Sequence, residues 1–232
     1  MAIHLVREIE KLKKQILSLS AHVEENVRQA IKSVTERDES LARKCIEEDK
    51  AIDIAEVDIE EECLKIFALH QPVAHDLRYL VAILKINRDL ERISDIGVSI
   101  AQRAIDLCSL PEPTIDFNIG FMAEKVQTMF SQSLDALINR DSRLARETWF
   151  ADDEIDTLCA ENYTLAEQQI TKTPEQTREL LNLLSISRSL ERMADHVANI
   201  SKDVIYMIEG EIVRHRKKII KERIRQAEQS AE

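Results

Sequence analysis

Leu84-Lys-Ile-Asn-Arg-Asp-Leu90-Glu-Arg-Ile-Ser-Asp95 returns one hundred residues later as Leu184-Ser-Ile-Ser-Arg-Ser-Leu190-Glu-Arg-Met-Ala-Asp195. Around the first copy the apolar residues Ile83, Ile86, Leu90, Ile93, Gly97, Ile100, Ala104 and Leu107 step by three and four, which is the period of a helix face and not of a strand. The recurrence extends upstream. Arg37-Asp38-x-x-Leu41-Ala42-Arg43 returns as Arg140-Asp141-x-x-Leu144-Ala145-Arg146, and Asp49-x-x-Ile52-Asp53 as Asp152-x-x-Ile155-Asp156, both at an offset of 103. The three-residue difference between the offsets falls between helices, where a deletion costs least. A repeat of this length marks a duplicated supersecondary unit.

Working outward, helices are expected over about 3–36, 39–69, and from Pro72 or Asp76 to 108; then over 116–139 and 142–171, and from Thr173 to Glu209. Asp38 and Asp141 are placed as N-caps, and Thr173-Pro-Glu-Gln176 as a capping box with proline at the first helical position. Ser109-Leu-Pro-Glu-Pro-Thr114 breaks helix twice and is the domain boundary. The expected architecture is all-α: a three-helix bundle over 1–110, a second over 115–210, each with its own core, and a basic helical tail over 211–232. Helices of roughly 30 residues span about 45 Å, so the bundles should be elongated.

Composition agrees. The 232 residues include only 3 Gly and 4 Pro, and 32% are charged against 44% hydrophobic, as amphipathic helices around a modest core require. The net charge of −11 opposes nucleic acid as the main partner and favours cations or a basic protein surface. Cys45, Cys63, Cys108 and Cys159 form no C-x-x-C pair, so reduced and mostly buried thiols in a cytoplasmic protein are expected. No secretory signal is read at the start, and no uncharged apolar run approaches the ~18 residues that span a bilayer.

The repeat preserves carboxylates. Each half keeps two pairs at i, i+4: Asp49/Asp53 with Glu91/Asp95, and Asp152/Asp156 with Glu191/Asp195. Residues four apart share one helix face, so a pair can hold one cation. Glu91 stands in heptad line with Leu77, Leu84, Val98 and Ile105, and Asp156 with Trp149, Tyr163 and Ile170, beside the apolar arc and not opposite it. Four acids converging there would be driven toward protonation unless a metal neutralised them. All-oxygen ligation fits Mg²⁺, Mn²⁺, Ca²⁺ or iron rather than structural zinc. The competing reading is a solvated acidic face stitched by Arg88, Arg92 and their copies.

Other chemistry finds no footing. No Glu-x-x-His occurs, against a ferritin-like di-iron oxidase, and His196 beside Asp195 is read as a packing or hydrogen-bonding residue. Three glycines could not build phosphate-cradling or nucleophile-elbow loops, and none of their motifs is present. The tail residues Arg214, Arg216, Lys217, Lys218, Lys221, Arg223 and Arg225 form either a solvated helix or a dock for an anionic surface.

Gln71-Pro72-x-x-x-Asp76-Leu77-Arg78 and the two Glu-Arg-x-x-Asp segments closely resemble the PhoU family, over nearly the whole chain to Gly210-Glu-Ile-Val-Arg-His215. The family's E(D)-x-x-x-D motifs, which bind metal clusters in some members, match Asp49/Asp53, Glu91/Asp95, Asp152/Asp156 and Glu191/Asp195. The second half lacks the Gln-Pro-x-x-x-Asp-Leu-Arg loop and has Thr173-Pro174 in its place. The resemblance implies a regulator and not an enzyme: a cytoplasmic repressor of the phosphate-starvation response when phosphate is plentiful. It would link the phosphate-specific ABC transporter to a sensor histidine kinase, as a homodimer that meets the membrane through its partners. Divalent or ferric ions (Fe, Mn or Mg) are the implied cofactors. An iron-handling helical bundle and a purely structural helical adaptor are the alternatives.

Overall fold

Seven α-helices, and among the described residues no strand, make up the computed structural model: α1 (Ala2–Thr35), α2 (Glu39–His70), α3 (Ala74–Cys108), α4 (Ile119–Asn139), α5 (Ser142–Lys172), α6 (Thr177–Glu209) and α7 (Lys217–Gln229). It describes residues 2–112, 115 and 117–229. Pro113 and Thr114 of the expected linker lie outside them, as do Met1 and residues 230–232 at the ends of the expected domains.

The duplication is visible in the caps. Asp38 Oδ1 accepts from the Ser40 and Leu41 amides at 2.9 and 3.1 Å. Asp141 Oδ1 accepts from Arg143 and Leu144 at 2.9 and 3.0 Å. Both caps have φ near −98° and follow an arginine in the left-handed region, Arg37 at φ 51° and Arg140 at φ 52°. Arginine is strained there, and a contact compensates at the first copy: Arg37 Nη2 donates to the carbonyls of Leu107 and Leu110, tying the α1–α2 turn to the end of α3.

Two starts differ from expectation. The α4 helix begins at Ile119, because Phe117 is drawn into the core (1% exposed) and Asn118 turns left-handed at φ 50° before the helix can start; the expected start at 116 lies outside the described residues. The Thr173 capping box is not formed. Pro174–Gln176 is a 3₁₀ turn, and the Thr173 hydroxyl donates back to Gln169 O at 3.1 Å, closing α5 instead of opening α6. Gly210 ends α6 as expected, left-handed at φ 75° with its amide on Tyr206 O at 2.9 Å.

Helices α1, α2 and α3 pack as one three-helix unit, α4, α5 and α6 as the other, and α3 lies along α6 at the seam. Every residue of the apolar stripe on α3 is buried. Gly97 on that stripe allows close approach: a Cβ there would come within 3.3 Å of Asn26 Oδ1 on α1. Asn26 in turn donates to Cys45 O at 2.9 Å and accepts from Cys45 Sγ at 3.1 Å, so a buried polar knot fixes α1 against α2. The units do not keep separate cores. Their buried side chains form one connected cluster, because α3 and α6 are apolar on the faces they share as well as toward their own bundles.

Candidate metal centre

In the first unit the acids sit where α2 faces α3. Asp49 is half-buried, and its Oδ1 accepts from Ser94 Oγ on α3 at 2.5 Å. Burial pushes Asp49 above the ordinary carboxylate range, and the charges of Asp53 and Asp95 add to the push. Glu91 is raised by burial and then by Asp95, against which Arg92 works. Arg92 stands 3.3 Å from Glu91 Oε2 and donates to Asp95 Oδ2 at 2.9 Å. Asp53 is exposed. A fifth acid joins them: Glu56, raised by burial and by Glu60 and Asp53, accepts from Asn87 Nδ2 at 3.2 Å.

The second unit repeats the acids with a different surround. Asp152 is buried (8% exposed), with Oδ1 lacking any hydrogen-bond partner. Its Oδ2 accepts from Lys217 Nζ of α7 at 3.0 Å. Lys217 also stands 2.6 Å from Asp153 Oδ1, and Lys221 pairs with the same carboxylate. Burial alone would raise Asp153, but the two lysines outweigh it and leave it lowered. Asp156 is raised by burial and by Asp152 and Asp195; Glu191 by burial, Asp195 and Asp156; Asp195 by burial and Asp152.

All four expected acids of each half therefore act on one another through space. Only Asp152, Asp153 and Asp156 bring one oxygen each within 4.8 Å of the others, among the described residues. Oxygens around one hard cation lie roughly 2.0–2.6 Å from it, so that separation suits a shared ion. The buried Asp152 Oδ1 has no hydrogen-bond partner and is free to accept from such a charge. The donor set fits a hard divalent or ferric ion, whose contribution would be neutralising clustered carboxylates.

Glu56, Asp153, Ser94 and Lys217 were not among the expected site residues. The repeat hides them: at the copied positions stand Cys159, Lys50 and Ala194, while Lys217 lies beyond both repeats. For Asp153, adjacency to Asp152 was the available signal. His196 makes the expected hydrogen bond, but with Asp89 Oδ1 on α3 of the other unit, at 2.7 Å. The tail does not form a wholly solvated helix: Lys217 and Lys221 find their anionic surface on the chain's own second unit. The side chains of Arg223 and Arg225 lie outside the described residues.

Two copies of a three-helix unit, each with acids on its facing second and third helices, define the class of protein. A PhoU domain matches residues 16–104 and again 119–204. The phosphate-specific transport system accessory protein PhoU homolog of Aquifex aeolicus is 36% identical over 211 residues, covering 91% of this chain and 96% of that protein. The homolog of Pseudomonas putida is 37% identical over 212 residues, covering 90% and 82%. The crystal structure of PhoU from Pseudomonas aeruginosa superposes with a TM-score of 0.87 at 33% identity, over 88% of this chain and 99% of that one. The phosphate transport system regulatory protein PhoU from Streptococcus pneumoniae superposes at 0.80 with 27% identity, over 90% and 99%. The chain belongs to the PhoU family. No helix among the described residues is long and apolar enough to cross a membrane.

Proposed function

We propose that this chain is an accessory regulator of phosphate transport that represses the phosphate-starvation response when phosphate is plentiful. In this reading it works in the cytoplasm, as a homodimer, between the phosphate-specific ABC transporter and a sensor histidine kinase. Its role is to bind and signal, without a reaction of its own. The observation that carries the reading is the twofold match to the PhoU domain, over 16–104 and 119–204, with relatives named for the phosphate-specific transport system. Deleting the gene in its own host should switch on phosphate-scavenging genes in phosphate-rich medium. A reporter that stays repressed in the deletion strain refutes the role.

Metal ions, iron, manganese or magnesium, belong to the same proposal. They would be held by Asp49, Asp53, Glu91 and Asp95 in the first unit and by Asp152, Asp156, Glu191 and Asp195 in the second, with Asp153 added there. Acids that repel one another beside a core support it, because such a cluster is stabilised by a counter-cation. Chelator should lower the melting temperature of protein purified with its metal, since an ion that binds only the folded state stabilises it by mass action. Zero metal after loading with Mn²⁺, Mg²⁺ and iron would return these residues to a solvated acidic face.

A further inference from the structure

A cavity of about 400 Å³ opens at the seam, between the outer faces of α3 and α6 and the turn that follows α6. Five cationic side chains line it against two carboxylates, in a chain whose net charge is −11. Both carboxylates are already answered: Asp203 by Lys85 Nζ at 2.9 Å, and Asp89 by His196 Nδ1 at 2.7 Å. Arg92 is committed to Glu91 and Asp95. That leaves Arg88, Lys202 and Arg214, for which no ion pair or hydrogen bond is formed, from three different stretches of chain and around one space.

Lys202 is the informative member. It is half-buried, and burial lowers its pKa despite the acids in its neighbourhood. A cation held partly out of water without a bonded partner is costly, whereas lysines such as Lys44, Lys65 and Lys125 reach a carboxylate on their own helix or the next. None of the lining residues is apolar, and the one ring among them, the His196 imidazole, is held by Asp89. An acyl chain would find no apolar surface to pack on, while an oxyanion would find two guanidinium groups, which favour planar bidentate contact, and an ammonium. The cavity is also several times larger than one tetrahedral oxyanion, so it accommodates a chain of them.

We propose that this seam cavity binds a multiply charged phosphate-class oxyanion, with Arg88, Lys202 and Arg214 as its ligands. The cavity adjoins the carboxylate clusters, sharing Arg92 with the first, but none of its three unbonded cations is paired to a cluster acid, and the binding requires neither bound metal nor the transport role. Its position gives it a consequence: the anion would touch α3 of one unit and α6 of the other, so its binding would clamp the two units together.

The test is calorimetric titration of the full-length chain with orthophosphate, pyrophosphate, tripolyphosphate and ATP, at about 0.1 M potassium chloride, where charges farther apart than about 10 Å are screened. Pyrophosphate or tripolyphosphate should bind saturably at one site per chain. Losing one charge-assisted contact should weaken this at least about tenfold in Lys202→Met. Arg88→Gln, at an exposed position, should act in the same direction. Lys65→Gln removes a charge that pairs with Glu61 and Glu62 on α2, outside the cavity, and should stay within about twofold of wild type. ATP should bind no more tightly than tripolyphosphate. Absence of saturable binding by any of the four, or an equal loss in Lys65→Gln, overturns the site. ATP binding far more tightly than tripolyphosphate overturns its assignment to a bare oxyanion.

Discussion

Lys217→Met separates two roles of the tail in one experiment. Lys217 is 24% exposed at its side chain and Asp152 only 11%, so their contact at 3.0 Å is weakly screened; Asp153 is 54% exposed and its contact at 2.6 Å is largely screened. A charge-assisted hydrogen bond in the first setting contributes roughly 1.5–3 kcal/mol, and an exposed pair about 0.5 kcal/mol. Methionine keeps the stem packed and the helix intact. After deducting the burial penalty that the lysine no longer suffers, the net loss is about 2 kcal/mol. For a chain of this size that lowers the melting temperature by about 4–8 °C in metal-free protein.

The same substitution should act in the opposite direction on an ion. Lys217 and a divalent cation compete for Asp152 Oδ2, so removing the lysine should tighten Mn²⁺ binding at the second unit by the same ~2 kcal/mol, about thirtyfold. Calorimetry with Mn²⁺, on wild type and variant, reads both sites together. The first unit, whose acids form no ion pair with α7 among the described residues, is the internal control. Unchanged Mn²⁺ affinity at the second unit refutes competition, and so does an equal change at both units.

Three further outcomes follow from local geometry. Asp38→Ala and Asp141→Ala each remove two amide contacts at a helix start and should each cost about 1 kcal/mol, read by urea denaturation; effects below about 0.3 kcal/mol would show that the turns are held otherwise. Asp49, Glu91, Asp156, Glu191 and Asp195 are raised in the folded chain, so between the ordinary carboxylate values near 4 and their raised values the folded state holds more protons than the unfolded. In that window stability of the metal-free protein should fall as pH rises, and Glu191→Gln with Asp195→Asn should flatten the slope; a slope of the other sign contradicts the clusters' mutual repulsion. Cys45 and Cys63 are buried with thiols pushed up to about 12, and Cys159 is buried and raised, so an aromatic disulfide reagent at about pH 8 should titrate Cys108 alone before denaturant is added.

Much of the fold was legible because its signals are local. The α3 stripe, the Asp38 and Asp141 caps and the Gly210 stop each act within one turn of their own residue, and each stands where its chemistry places it. The Thr173 cap was misread because its hydroxyl has two donors and acceptors within reach, and only the conformation at φ −130° decides that it turns back to α5. The neighbourhood of the repeated acids was legible in the sequence, and their counter-charges were not. Repetition identified Asp49, Asp53, Glu91, Asp95 and their copies, but it discards whatever the two halves do not share. Glu56, Asp153 and Ser94 fall in that category. Lys217 and the partnership of His196 with Asp89 depend on how distant segments pack, which periodicity does not encode.

The unshared residues make the two halves chemically unlike. In the first unit, neutralisation comes from α3 itself: Ser94 serves Asp49, and Arg92 serves Glu91 and Asp95, all within a rigid pair of helices. In the second, Ala194 replaces the serine and offers Asp152 nothing, and Arg192 makes no ion pair. On α6, Lys202 and His196 act on Asp195 and Arg188 on Glu191, but the ion pair to Asp152 comes from α7, outside both copies of the domain and joined to α6 through the turn after Gly210. A cation that binds the first cluster need only move an arginine side chain. One that takes Asp152 Oδ2 must displace the Lys217 ammonium, while Ile220 keeps α7 seated on the core. Of the two clusters, only the second draws, among the described residues, an ion-pair partner from outside the repeat, so an ion arriving there would exchange with a side chain of the tail.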